Sequence, residues 1–470
     1  MPKIEIVKIF LPLIIASLFS LNAPLHNQVN GLNLAAEFLA VGDDHGAALQ
    51  IARVACLIPW RSDLWEYAGE LLLQTGDAQK TIKVLSLAER FGSLKPEASL
   101  LLGDALEQTG NLRAAIEVWS SIHIGEKVSY EIDLRLASAY QRMGNLEQAS
   151  VHLLALQASQ PADPLLNYRL GIILAAIDPE ASLAYLSIAG ESDPAYLEVT
   201  ENFRREIHSA RRSPDQSFLY LSSGRVLASL GEWVAANEAF QRAVNTNPTY
   251  AEAWAYLGEA AQHLNRDGHP QLELARKLDP SSIAANTFLA IYWQREGRYD
   301  LATLYLQVAE EVDPKNPVIQ VELGRILALA GKLQKAEAHY QKAVQLASRD
   351  PQYWNELADF SIAYDYQVRT LGLNAARQAL LLNPDDAASL DVMAQVLSIL
   401  GDPLSALRFL DRAIRIDAAY APAHLHLGVI YLLRGESQKA YRQLSLAKEL
   451  AKPESATAEH ARRLLAQITP

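Results

Sequence analysis

Four glycines near the start of the chain stand on a regular grid, and this spacing constrains the fold more than any other feature. They are Gly42, Gly76, Gly110 and Gly144, each 34 residues after the last, and an Asp or Asn follows each one. Glycine readily adopts the left-handed conformation that ends a helix, and Asp or Asn begins the next helix by accepting a backbone N–H. The grid therefore predicts four helical hairpins, each with its turn at a glycine.

The same period continues along the chain. Prolines at 248, 280, 314, 351 and 384 are separated by 32, 34, 37 and 33 residues, and Gly401 and Gly435 are again 34 apart. Only the interval from Pro194 to Pro248 breaks step, at 54 residues. A fixed period of this length is typical of stacked repeats that share one continuous core.

One period, from Tyr220 to Pro248, shows the content of a repeat. Apolar residues recur at spacings of three and four on both sides of Gly231, which predicts a helix, a tight turn and a second helix. Gly224 in the first helix is small, and Phe240 in the second is large. Small residues let two helices approach closely, and large ones fill the space beside them. The predicted fold class is all-α.

This pattern resembles the tetratricopeptide repeat, with its small and large residues at fixed positions of a helical pair. The matching positions include Trp65, Gly69, Leu72, Leu85 and Ala88; Ser99, Gly103, Leu106, Ala115 and Trp119; Trp254, Leu257, Gly258, Ala275 and Pro280; and Gly428, Tyr431, Ala440 and Ala447. The resemblance covers nearly the whole chain after its first residues. It implies a tetratricopeptide-repeat solenoid of about twelve helix-turn-helix units, closed by a C-terminal capping helix.

Two units depart from the pattern. The unit from Glu252 to Pro280 is short, with His269 and Pro270 where the second helix should start. The unit from Gln352 to Pro384 predicts an overlong first helix around Tyr364 to Arg369.

The break in the period divides the chain. Val199, Phe203 and Ile207 are four residues apart and predict one docked helix, which is either an insertion or a degenerate repeat that lost its partner helix. The predicted divisions are a membrane anchor or signal segment (1–27), an N-terminal array (28–194), an inserted helix (195–212), a C-terminal array (213–452) and the capping helix (453–470).

The N-terminus predicts a membrane segment through residues 4–25. Lys3 and Lys8 precede 17 uncharged residues, the short limit for a spanning helix. An uncleaved anchor is favoured, and the lysines before the apolar run place the repeat body outside the cytoplasm. The alternatives are export after signal cleavage, although Leu21 and Pro24 disfavour a cut after Ala23, and a soluble cytoplasmic protein.

No motif in the sequence predicts catalysis, a cofactor, a metal site or a small-molecule substrate. Cys56 is the single cysteine and is expected to be a buried small hydrophobe. Asp43 is expected to cap a helix. His424 and His426, two apart on a helix, are expected to be exposed or half-buried and to share no metal.

The charge balance excludes nucleic acid as the expected partner. The chain has 42 Lys and Arg against 54 Asp and Glu, a formal net charge of −12. Affinity for nucleic acid comes mainly from cations that neutralise phosphates. One basic cluster, Arg204, Arg205, Arg211 and Arg212, is expected to be a solvated helix face, with an anionic partner or lipid surface as the alternative.

The resemblance implies that the first helix of each unit lines a concave groove. The groove positions it implies are Asp63, Glu66, Glu70, Glu97, Asp104 and Glu107, an acidic stripe, followed by Tyr168, Arg225, Arg325 and Asn355. The stripe predicts contact with a basic or polar segment of another protein; the alternative is a solvated acidic face without a partner. The predicted function is a non-catalytic scaffold that binds protein partners, or alternatively an assembly factor or subunit of an envelope polysaccharide, glycosyltransferase or secretion complex.

Overall fold

A computed structural model describes residues 28–91, 94–122, 126–452 and 455–468 of the chain, without the side chains of 126–129. These residues form helices and turns, with no strand among them. The predicted membrane segment, residues 4–25, lies outside the described residues. None of the helices that the structure does describe is long and apolar enough to cross a membrane.

The chain divides into two compact units, Met1–Asn247 and Pro248–Pro470. The division therefore falls one hairpin after the predicted insertion at 195–212. In unit 1, described from residue 28 on, the helices are α1 (28–40), α2 (Asp44–Leu57), α3 (Ser62–Gln74), α4 (Ala78–Phe91), α5 (Pro96–Gln108), α6 (Leu112–Ser121), α7 (Glu126–Arg142), α8 (Leu146–Ser159), α9 (Pro164–Ile177), α10 (Pro179–Ser192), α11 (Leu197–Ala210), α12 (Gln216–Ser229) and α13 (Trp233–Thr246).

Unit 2 continues the series with six more hairpins and a final helix. Its helices are α14 (Ala251–His263), α15 (His269–Leu278), α16 (Ile283–Arg295), α17 (Tyr299–Val312), α18 (Pro317–Leu329), α19 (Leu333–Leu346), α20 (Pro351–Ala363), α21 (Leu373–Leu382), α22 (Ala387–Ile399), α23 (Pro403–Ile416), α24 (Ala421–Leu433), α25 (Ser437–Leu450) and α26 (Ala456–Leu465). With α11 set apart as a single helix, the described residues form twelve hairpins. The predicted all-α fold of about twelve units is confirmed.

The C-terminal cap is confirmed by its packing. Ala461 on α26 is fully buried beside Leu425 and Leu444 of the last hairpin. Ser455 begins α26 by accepting a hydrogen bond from the N–H of Ala458 at 3.2 Å. The helix thus covers the apolar end of the last repeat, which would otherwise face water.

The turns have the predicted chemistry. Gly110 has a φ of +82°, and Gly42, Gly76 and Gly144 lie between +78° and +81°. Asp43 Oδ1 then accepts from the N–H of Gly46 at 2.8 Å, as expected for a residue that caps α2. Each of these four hairpins therefore turns where a left-handed glycine is followed by a capping side chain.

Within a hairpin, a glycine on the first helix faces a large residue on the second. A Cβ placed on Gly224 would lie 2.5 Å from Cε1 of Phe240, which is completely buried. The two helices can therefore approach as closely as they do only with glycine at position 224. The first helices of successive hairpins also contact one another, as α3 contacts α5 and α20 contacts α22. We call the surface lined by the first helices of a unit its first-helix face.

The prediction of an overlong helix around Tyr364 to Arg369 is wrong. Helix α20 ends at Ala363, and a single π turn at Val368–Gly372 precedes α21. Asp365 and Gln367 have left-handed φ values of 46° and 50°. The N–H of Tyr366 donates to the Ser361 carbonyl at 2.9 Å, which closes the chain back on α20. The short unit, in contrast, starts its second helix at His269 as predicted.

Two predictions of burial are also wrong. Cys56 is exposed, because the buried stripe of α2 runs through Ile51 and Ala55, and the next residue turns away from it. His424 is only 5% exposed, and its Nδ1 lies 2.7 Å from Oε1 of Gln443. Its imidazole has two polar partners in the interior, which makes burial tolerable.

Helix α11 changes the stacking of unit 1. It packs between α10 and α12 and buries Phe203, Ile207 and Ala210. Helices α12 and α13 then both pack on α9. In the regular stacking, the first helix of one hairpin contacts the first helix of the next. Here α13, which is a second helix, also contacts α9, the first helix of the preceding hairpin.

Candidate partner-binding faces

Three of the six carboxylates of the acidic stripe of unit 1 are paired with cations of the following repeat. Lys95 Nζ lies 3.4 Å from Oε1 of Glu66. Arg135 on α7 donates to Asp104 on α5 through Nε at 2.6 Å and Nη2 at 3.0 Å. Arg142 Nη1 donates to Glu107 at 2.5 Å. We call such a contact between consecutive repeats on the first-helix face a rung.

The other acidic positions of the stripe differ in how open they are. Asp63 is held by Arg61 through two hydrogen bonds of 2.8 and 2.6 Å, and these bonds lower the pKa of its carboxyl. Glu70 is exposed and accepts from Gln74 Nε2 at 3.2 Å. Glu97 is exposed in the first turn of α5. Glu70 and Glu97 are therefore the stripe carboxylates that lie open to solvent without joining a rung.

Unit 2 carries the same kind of rungs. Arg295 on α16 reaches Glu259 at 3.0 Å and Gln262 at 2.7 Å on α14. Arg325 on α18 donates to Glu356 on α20 at 3.4 Å. The structure thus places Arg325, which the resemblance assigns to the groove, in a contact between repeats.

Asn355 takes a similar place. Its Nδ2 donates to Ser389 Oγ at 2.9 Å, which joins α20 to α22. The residue is only 8% exposed. An approaching partner would therefore meet the surrounding helices before this side chain.

Tyr168 lies where unit 1 departs from regular stacking. Its ring stacks on that of Tyr196, with centroids 4.5 Å apart, and burial raises the pKa of its phenol. Helix α9 is buried continuously from Leu170 to Ala176. Arg225, on the next first helix, is exposed. The face is thus covered at α9 and open again at α12.

The cover over α9 is α13. Ala235 and Ala239 on α13 are buried, and Arg242 forms an ion pair with Glu147 at the start of α8. A sequence signal for this cover exists, because residues 170–177 contain no polar side chain. A helix that is apolar all round is buried on all sides.

One polar cluster of unit 2 was not predicted from the sequence. His426 Nδ1 on α24 lies 2.7 Å from Oδ1 of Asp391 on α22, whose side chain is only 3% exposed. Asp359 on α20 lies beside them, and burial together with the charges of Glu356 and Asp391 raises its pKa to about 7. The sequence signal is the 35-residue separation of Asp391 and His426, which is one residue more than the 34-residue repeat. The part of the chain that the structure describes has no group of three or more His, Cys, Asp or Glu side chains placed to hold a metal ion.

Comparison with known proteins agrees with the repeat geometry. Residues 294–359 match the family model for the tetratricopeptide repeat. The chain is 23% identical over 248 residues to Protein CTR9 homolog of Arabidopsis thaliana, which covers 49% of this chain and 22% of that protein. It is 33% identical over 116 residues to the Peroxisomal targeting signal receptor of Komagataella phaffii, which covers 24% of this chain and 19% of the receptor. The chain thus spans only about a fifth of the length of these relatives.

Two solved structures align with this chain over most of its length at low sequence identity. The yeast Tom70 structure aligns over 94% of this chain and 95% of its own, with 14% identity and a TM-score of 0.45. The Cut9 and Hcn1 structure aligns over 93% and 95%, with 16% identity and a TM-score of 0.38. The described residues of each unit thus form all-α arrays of helical hairpins, and residues 294–359 match the tetratricopeptide repeat.

Proposed function

We propose that this protein is a non-catalytic scaffold that binds segments of partner proteins along the first-helix face of unit 1. The observation that carries the proposal is the pair Glu70 and Glu97, exposed carboxylates on successive first helices that belong to no rung. The rungs beside them, at Glu66 and Asp104, hold successive helices together. Because these helices are already held in place, this face loses little conformational entropy when a flexible segment binds to it.

The chemistry of these carboxylates favours a partner segment that carries Lys or Arg. Opposite charges across an interface set orientation and speed association. One relative, with 33% identity over 116 residues, is named as a receptor for a targeting signal, which supports recognition of a segment of another protein. No cofactor or substrate is required by this activity.

The proposal includes a tether through residues 4–25, with the repeat body outside the cytoplasm. It rests on the 17 uncharged residues that follow Lys8. Membrane fractionation, followed by protease treatment of intact and permeabilised cells, tests it. The proposal expects the protein in the membrane pellet, with the repeat body open to protease before the membrane that holds residues 4–25 is disrupted; a protein that stays in the soluble cytoplasmic fraction contradicts it.

Charge reversal tests partner binding. The variant Glu70→Lys with Glu97→Lys should lose a captured partner in a pull-down from the source cell. Glu89 on α4 and Glu117 on α6 are also exposed but belong to second helices. The matched control, Glu89→Lys with Glu117→Lys, makes the same change in net charge and should retain the partner. Equal capture by both variants would contradict the proposed face.

A further inference from the structure

The rungs of the first-helix faces differ in one respect, the residue that supplies the positive charge. The cations are Lys95, Arg135, Arg142, Arg295 and Arg325 in the rungs described above. Lysine and arginine stay charged at all physiological pH values. In the rung between α22 and α24 the corresponding group is His426, an imidazole that titrates near neutrality.

The carboxylate that His426 contacts is buried and relies on few partners. Asp391 is 2% exposed; its Oδ1 meets His426 Nδ1 at 2.7 Å, and its Oδ2 accepts from Gln395 at 3.4 Å. A buried carboxylate is costly unless it is paired and hydrogen-bonded. Neutral imidazole can still donate a hydrogen bond, but it no longer supplies a compensating charge.

A second carboxyl group on the neighbouring first helix adds to the cost. Asp359 on α20 reaches solvent, and it is crowded by protein and by Glu356 and Asp391. With His426 charged and Asp359 protonated, the three groups Asp359, Asp391 and His426 have a net charge of zero. After both lose a proton, the net charge is −2.

We propose that Asp359, Asp391 and His426 form a proton-operated latch that holds α24 against α22 at mildly acidic pH and loosens this contact at mildly alkaline pH. The latch acts on the last repeats of unit 2 and does not depend on partner binding. Its other neighbours are Tyr420 just before α24, whose pKa is raised by burial and then by Asp391 and Asp359, and His460 on α26.

The direction of the effect follows from both titrating groups. Burial alone would lower the pKa of His426, but Asp391 outweighs it, and the net pKa is raised. Stability from His426 is therefore complete below its unfolded pKa and is lost as pH rises through its folded pKa. The pKa of Asp359 is raised from 3.8 to about 7, so its ionisation also destabilises the folded unit progressively as pH rises from about 4 to 7. Both groups therefore favour the closed latch at pH 6 over pH 8.

Hydrogen exchange of the full-length protein at pH 6 and pH 8 tests the latch. The readout is the protection factor, which removes the intrinsic pH dependence of exchange. Peptides from α22 and α24 should lose protection by about tenfold at pH 8, the equivalent of one pKa unit. Peptides from α5 and α6 serve as the internal control, because residues 94–121 contain no histidine and their rung uses Arg135.

Two variants separate the latch from general instability. Asp359→Asn removes this carboxyl group and should raise protection of α24 at both pH values, with a larger gain at pH 8 than at pH 6. His426→Arg replaces the titrating cation with a permanent one and should reduce the pH response. Wild-type protection in α22 and α24 that changes no more than in α5 and α6 would overturn the proposal, and so would a full pH response that persists in Asp359→Asn.

Discussion

Arg135 on α7 and Asp104 on α5 are joined by two parallel hydrogen bonds, from Nε at 2.6 Å and from Nη2 at 3.0 Å. The pair spans 31 residues of sequence and one repeat of the fold. A carboxylate that looks like a groove residue in the sequence is therefore a structural contact between repeats. Partner-binding experiments on this face have to separate such residues from the open ones.

Loss of this rung should weaken unit 1. Asp104→Asn should lower the free energy of unfolding by about 1 kcal/mol, because the pair is bidentate but about a quarter of each side chain is exposed. Denaturant unfolding of Asp104→Asn, Arg135→Gln and the double variant gives the coupling energy of the pair. A coupling energy of zero would show that the rung does not stabilise the repeats.

The turn at Gly110 gives a second prediction. Gly110→Ala should destabilise the protein by about 1–2 kcal/mol, because a Cβ is strained at a left-handed φ of +82°. Gly110→Asn is the matched control and should cost less, because asparagine tolerates this conformation. The measurement is the midpoint of denaturant unfolding of each variant, compared with that of the wild-type protein. An equal decrease of the midpoint in both variants would point to a cause other than backbone strain.

The cover of α13 over α9 gives a third prediction. Ala239→Leu adds three carbons at a fully buried position and should cost about 1–3 kcal/mol by overpacking. Hydrogen exchange should show the lost protection in α9 as well as in α13. Ala184→Leu on α10 places the same side chain at an exposed position and should leave both helices protected. Equal protection in the two variants would mean that α13 does not pack tightly on α9.

Much of the fold was predictable from sequence because its signals are local. Gly110 and the residue that follows it determine a turn and a cap within a few residues. Asp104 was also identified as a groove position, but its pairing with Arg135 was not, because that contact depends on how one hairpin stacks on the next. The exposure of Cys56 was not predicted either. Its neighbours in the sequence are apolar, but only the face of α2 that contains Ala55 is covered by other helices.

Site-specific photo-crosslinking in the source cell can show directly whether partner segments bind on the first-helix face of unit 1. A photoreactive residue replaces Glu70 or Glu97 on first helices, and Glu89 or Glu117 on second helices, in otherwise unchanged full-length protein. We expect a discrete protein adduct from positions 70 and 97 and none from positions 89 and 117. Adducts only from positions 89 and 117, or from none of the four, would contradict binding on this face.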